Sequence, residues 1–164
     1  MSRLRSSAFI GGSTGSRVFV VGRERLQSGK EMNEIELIRK YYNKRVEEDF
    51  KNSGGLEDPD ITVKAVDTKG CHGNNTDLLY FHLGIEGERI KDVRYECEYC
   101  DLIMYVVAEI TCDLVRNRTL DEIANMTERD FSNALGGHSP KALARWKTAF
   151  DALVKEVSGQ GGRR

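Results

Sequence analysis

The 164-residue sequence predicts an α+β fold, a three-stranded antiparallel sheet covered on one face by helices. Three observations lead there. Residues 61–66, 77–85 and 89–97 are β-branched or alternate side chains at the period of two that a half-buried strand needs. Residues 32–51, 102–116 and 141–157 repeat apolar side chains at three- and four-residue steps, the period of a helix. An antiparallel sheet with one apolar face must also bury that face, and these helices are what can cover it.

Residues 1–31 read as a flexible or targeting-like leader. Arg3, Arg5, Arg17 and Arg23 precede the first acid, Glu24, among many Ser and Gly, as in an organellar transit peptide. Arg17–Gly22 reads instead as a short strand, so disordered leader, expression remnant and added edge strand all stay open. The glycine-rich run Gly11–Ser16 lacks the lysine and preceding strand of a phosphate-binding loop and reads as linker.

The domain proper is expected over residues 32–158. In its first helix Ile35, Ile38, Tyr42, Val46 and Phe50 draw the apolar face. Glu34, Glu36, Lys40, Lys44, Arg45, Glu47 and Glu48 take the other faces, and Asn33 with Glu36 resembles a capping box. Asn52–Asp60 is a run of stop signals that ends the helix. In the sheet, Leu79, Phe81, Leu83 and Ile85 point one way and Leu78, Tyr80 and His82 the other, which makes His82 a rim residue. Glu86-Gly87-Glu88 turns into a strand whose Val93, Tyr95 and Cys97 share a face.

The next helix carries one stripe of Leu102, Ile103, Val106, Val107, Ile110 and Leu114. Asp101 in its first turn, and Arg116 and Arg118 in its last, suit the helix dipole. Thr119 and Glu122 open a shorter helix that Gly136-Gly137 breaks. Ser139-Pro140 then gives an N-cap and a first-turn proline. Leu143, Trp146, Phe150, Leu153 and Val157 follow on one stripe, so Trp146 is core. Residues 159–164 are expected to be a disordered tail.

Composition narrows the function. With 39% apolar and 31% charged residues and a net charge of −1, the chain makes no electrostatic case for nucleic acid or an anionic membrane. No apolar run approaches the roughly 20 residues of a spanning helix. Four unevenly spaced cysteines do not form the framework of a small secreted domain. A reducing setting follows: cytoplasm, or an organellar matrix if the leader is a transit peptide. The sequons at Asn74, Asn117 and Asn125 are then chance matches.

Chemistry concentrates at the sheet–helix junction. Cys97 and Cys100 are spaced Cys-x-x-Cys there, and a thiol near a helix N-terminus has its thiolate favoured by unpaired N–H groups. The same pair could be small buried hydrophobes, and it supplies only half a tetrahedral zinc site. Other ligand types stand in the loop Gly70–Asp77, with Cys71, His72 and Asp77, and at His138 before the last helix. Cys112 receives no role. Lacking a phosphate loop, a Ser/His/Asp ordering or a His-Glu-x-x-His motif, the chain does not read as an enzyme.

Several stretches resemble the NifU/IscU-type iron–sulfur cluster assembly scaffolds. Tyr42–Asn52 looks like that family's opening helix, with Leu56-Glu57-Asp58 after it. Gly87–Tyr95 resembles its G-x-I-x-D-x-x-F hairpin, with one residue more after the glycine and Tyr95 for the Phe, and Arg118–Ile123 resembles its G-[KR]-T-[LV]-x-E segment, with Asn117 in the glycine's place. The resemblance spans about Ile35 to Val157. It implies a scaffold fold in which three cysteines and an aspartate cradle a nascent cluster, beside a histidine. Asp77 fits the aspartate, Cys100 the second cysteine and His138 the histidine. Asn75 stands where the first cysteine belongs, with Cys71 further back, and Ser139 stands where the third belongs. Cys97 is extra, and the proline-rich segment gripped by family chaperones is absent.

The expectation is therefore a protein that transiently holds a [2Fe–2S] cluster or zinc through Cys71, Asp77, Cys97, Cys100 and His138. The resemblance implies a cysteine desulfurase and acceptor apoproteins as partners. Two alternatives differ in class: a metal-free interaction protein keeping the fold, and a sulfur-accepting thiol protein working through Cys100.

Overall fold

The structure, a computed structural model, describes residues 33–69 and 76–161. The leader, the loop with Cys71 and His72, and residues 162–164 lie outside the described residues. Helix α1 (Glu34–Glu47) precedes strands β1 (Ile61–Lys69), β2 (Thr76–Glu86) and β3 (Arg89–Glu98). Helices α2 (Leu102–Val115), α3 (Leu120–Ala124), α4 (Glu128–Leu135) and α5 (Pro140–Gly161) complete the chain. The sheet is antiparallel in the order β1-β2-β3, and α5 packs along β1 while α2 packs along β3. This is the expected fold class.

Strand register explains where the core lies. Val63 pairs with Phe81 and Phe81 with Tyr95; Ile61 pairs with Leu83 and Leu83 with Val93. These rows all lie on the helix-covered face, and every residue in them is buried. A bulge between Lys64 and Val66 puts an extra residue into β1, so both Ala65 and Val66 are buried. The edge of β3 is covered at both ends. Gly54 N–H donates to the Tyr95 carbonyl at 2.8 Å, and Tyr95 N–H to the Asn52 carbonyl at 3.0 Å. Further along, Ile90 N–H donates to the Arg118 carbonyl at 2.9 Å. Such covering removes a template for strand addition.

The helices depart from expectation in four ways. First, α1 buries Leu37, Ile38 and Arg45, while Ile35 and Val46 are 48% and 46% exposed. The face turned to α2 is chosen by Arg45, because α2 presents Glu109 and Asp113 to it. Second, α2 is buried on more than its one stripe: Met104, Ala108, Glu109, Thr111, Cys112 and Val115 are inside as well. It sits between β3 and helices α1, α4 and α5, so no face is left for solvent along its middle. Arg116 is its C-cap residue and Arg118 lies beyond, so neither occupies the last turn.

Third, the single short helix after Thr119 is two helices. The Thr119 capping box forms as expected, with Glu122 N–H donating to Thr119 Oγ1 at 3.1 Å. A second box, Thr127 with Asp130, starts α4. Fourth, α5 continues to Gly161, past the expected end at residue 157. Its start is as expected: Ala142 N–H donates to Ser139 Oγ at 3.1 Å. Trp146 is core, stacked between Phe131 (centroids 5.2 Å apart) and Phe150 (4.6 Å).

Candidate site at the sheet–helix junction

Strand β3 ends at Glu98 and α2 begins at Leu102, so the chain must turn within a few residues. Tyr99 makes the turn with a left-handed φ of 57°, a conformation costly for a bulky side chain, and is 56% exposed. Cys97 and Cys100 flank it, both half-buried and joined by a disulfide with Cα atoms 5.9 Å apart. A disulfide sulfur is not a thiolate, so in this form neither cysteine is a metal ligand. Both expected roles require reduction.

The sulfur of Cys100 lies against the start of β2. Cys100 Sγ lies 3.6 Å from the carbonyl oxygens of Leu78 and Glu98. Leu78 follows Asp77, which is 4% exposed at the start of β2. Cys97 pairs with Leu79, two residues beyond Asp77, so Asp77 and Cys97 are diagonal neighbours on the same sheet face. That separation is roughly 7–8 Å between Cα atoms. Cys71, six residues before Asp77 in the sequence, lies outside the described residues.

Asp101 holds the helix side of the junction. It is the N-cap of α2, accepting from Met104 N–H at 2.9 Å. Arg145 of α5 donates to both its carboxylate oxygens, each at 2.6 Å. Asp101 is thus a cap outside the first turn, and Arg145 is a cation at the site that sequence reading missed. An aspartate directly before an apolar helical run was the available signal for the cap. For Arg145 no local signal exists.

His138 stands ahead of the last helix. It is exposed in the turn between α4 and α5, and that turn packs on α1: a Cβ on Gly137 would stand 2.9 Å from Leu37 Cδ2. Lys141 N–H, at the second residue of α5, donates to Glu34 Oε1 at 3.1 Å. Arg145 is the α5 residue that reaches the junction, through Asp101. Among the described residues, no three of His, Cys, Asp and Glu converge closely enough to hold a metal ion. His82 is the expected rim residue, its Nδ1 3.1 Å from Thr62 Oγ1 and its Nε2 3.4 Å from Glu96.

The other end of α2 carries a cluster around Arg45, a residue that sequence reading put away from the apolar face of α1. Glu109 is 0% exposed, and Arg45 Nε lies 3.1 Å from its Oε1. Arg45 also pairs with Asp113 and Glu48. Asn52 Nδ2 donates to Glu109 Oε1 and to Asp113 Oδ1, both at 3.0 Å. Arg116 Nη2 donates to Asn52 Oδ1 and to the Val93 carbonyl, both at 2.7 Å. Burial raises the Glu109 carboxyl above its ordinary range, against the pull of Tyr95, Arg45 and Asn52. Burial likewise raises the phenols of Tyr41 and Tyr95 and the thiol of Cys112.

Among the described residues no helix is long and apolar enough to cross a membrane. No protein-family model matches the sequence, and no curated protein does. Solved structures do match. One is a putative iron–sulfur cluster assembly scaffold protein for the SUF system from Fervidobacterium islandicum, 17% identical, covering 72% of this chain and 91% of its own, with a TM-score of 0.51. Another is the N-terminal part of a nitrogen-fixing NifU-like protein from Brucella abortus, 22% identical, covering 73% and 93%, with a TM-score of 0.46. The likeness is one of architecture: the chain has the three-stranded, helix-covered fold of the SufU structure.

Proposed function

We propose that the protein is an iron–sulfur cluster assembly scaffold-like protein that holds a nascent cluster, or zinc, at the β3–α2 junction and passes it on. One observation carries this: the Cys100 sulfur rests against the carbonyl of Leu78, the neighbour of Asp77. In the reduced form a soft thiolate would stand at the start of the strand that carries a hard carboxylate, Asp77. The shared fold supports the reading, and Cys71 in the adjoining loop is the candidate third ligand. Asp77 suits transfer, because a carboxylate holds iron less firmly than another thiolate would. His138, exposed in the turn before α5, stays a candidate ligand of the same site.

The chemistry is that of a holder. Reduced Cys100 supplies charge and a bond to iron or zinc, while the sulfur and the acceptor come from partners, a cysteine desulfurase and an apoprotein. Nothing in that sequence of events requires this chain to catalyse a step. The test is iron and acid-labile sulfide content after reduction and reconstitution without oxygen. Wild-type protein should carry both, Cys100→Ser neither, and Asp77→Ala should retain its cluster longer when challenged with an apo-acceptor. Equal loading of Cys100→Ser would reject the site.

The disulfide favours a second reading, a metal-free thiol protein that accepts sulfur through Cys100. It predicts a persulfide on Cys100 after incubation with cysteine and a desulfurase, with no retained iron.

A further inference from the structure

We infer that Cys97 and Cys100 form a redox couple whose disulfide is the closed state of the junction and whose dithiol is the open one. The inference deepens the cluster-holding reading and rests on it for what opening achieves, whereas the thiol exchange itself does not depend on it.

Three features argue that this bond is there to be made and broken. The ring it closes is very short, from Cys97 to Cys100, so it removes little entropy from the unfolded chain. Both ends it joins are already fixed by other means. Cys97 is held in register opposite Leu79, and the start of α2 is fixed by the Asp101 cap and by Arg145. The fold therefore has no need of the bond as a fastener. The pair is also reachable: both cysteines are half-buried, and the turn between them is exposed at Tyr99. Cys112, by contrast, is wholly buried and stands outside the exchange.

The consequence for the site is direct. With Cys100 bonded to Cys97, the sulfur beside the Leu78 carbonyl has no thiolate to offer, and the site cannot take iron. The reaction that opens it is exchange with a dithiol reductant. A reductant thiolate attacks one sulfur of the pair, the Cys97–Cys100 bond breaks, and the departing sulfur takes a proton. The reductant's second thiol then displaces the mixed disulfide, leaving two protein thiols and an oxidised dithiol; two electrons have moved to the protein. Closure is the reverse, with the disulfide of a dithiol as oxidant. Cys97 in this account is a lock and not a ligand, which explains an extra cysteine beside the site.

The experiment equilibrates the full chain without oxygen in dithiothreitol at graded reduced-to-oxidised ratios. Free thiols are trapped by acid quench and alkylation and located by peptide mass, and ferrous ion binding is measured on the same samples. The peptide bearing Cys97 and Cys100 should pass from no alkyl groups to two in one step, and ferrous ion binding should be lost together with the thiols. Cys97→Ser should bind ferrous ion at every ratio. A doubly alkylated peptide at the most oxidising ratio, or oxidised wild type binding as much iron as reduced, would overturn the inference. So would Cys97→Ser failing to bind iron where reduced wild type binds it, since Cys97 would then be a ligand. If the peptide switches while no form, Cys97→Ser included, binds iron, the redox couple stands and the cluster-holding reading falls.

Discussion

The two ends of α2 solve opposite problems. Its C-terminal half carries Glu109 and Asp113 into a layer with Arg45, Asn52 and Arg116, where each charge has a partner and one asparagine bridges both carboxylates and a guanidinium. Its N-terminal end carries Cys100 on a half-exposed turn, held by one cap and one ion pair. Buried charge must be fully matched or it costs several kcal/mol, so the first region tolerates little change. A site that takes and releases cargo needs access, so the second is shallow. The comparison teaches that the most strongly coupled polar residues of this chain hold α1, the Asn52 turn and α2 together, and lie away from the candidate chemistry.

Breaking the matched end should have the largest effect. Arg45→Ala leaves Glu109 and Asp113 without their shared cation and should destabilise the fold by about 3–5 kcal/mol, read by urea unfolding. Replacing Arg45 by Met together with Glu109 by Leu should recover most of that loss, because an apolar pair of similar volume needs no partner. If the double variant is as unstable as Arg45→Ala, the seam is not an ion-pair problem.

Asn52→Ala removes the bridge and should cost about 1–3 kcal/mol, the penalty of buried groups left unpaired. At the shallow end the changes are smaller. Asp101→Ala loses the α2 cap and should cost about 0.5–2 kcal/mol, measured on reduced protein so that the disulfide does not mask it. A larger loss there than at Asn52 would reverse the ranking of the two ends.

The smallest expected effect is a pH slope. Glu109 has a raised carboxyl pKa in the folded protein, so the folded state binds its proton more tightly than the unfolded chain. Its contribution is fully present below the unfolded carboxyl pKa and is lost as pH rises through the folded one. Arg45 holds that pKa down, so Arg45→Met should steepen the loss of stability with rising pH, and Glu109→Gln should flatten it. Unfolding midpoints measured across mildly acidic to neutral pH would show a parallel slope in all three proteins if Glu109 were not the titrating group.

Much of the fold was legible because its signals are local. The alternation at Leu79, Phe81 and Leu83 and the long stripe through Trp146 and Leu153 each repeat one period without interruption. Arg45 was not legible: residue type argues for solvent, and the carboxylates that draw it inward lie more than sixty residues along the chain. The division between α3 and α4 was legible in principle, since Thr127 and Asp130 repeat the box seen at Thr119 and Glu122. Of the site, the approach of Cys100 to the start of β2, the strand that carries Asp77, followed from reading both as junction residues at one end of a sheet. The place of His138 did not, because the turn before α5 is fixed by packing against Leu37, a contact no spacing reveals. Cys97 and Cys100 have a spacing that serves a disulfide as readily as a pair of ligands, and only their arrangement around Tyr99 distinguishes the two.

The claim at the centre of this account is that Cys100 is a metal ligand at the junction, and cobalt(II) substitution tests it most directly. Reduced wild-type protein titrated with cobalt without oxygen should develop thiolate-to-cobalt charge-transfer absorption that saturates with one site, and Cys100→Ser should lose most of it while remaining folded. Undiminished charge transfer in Cys100→Ser, or none in reduced wild type, would contradict the account.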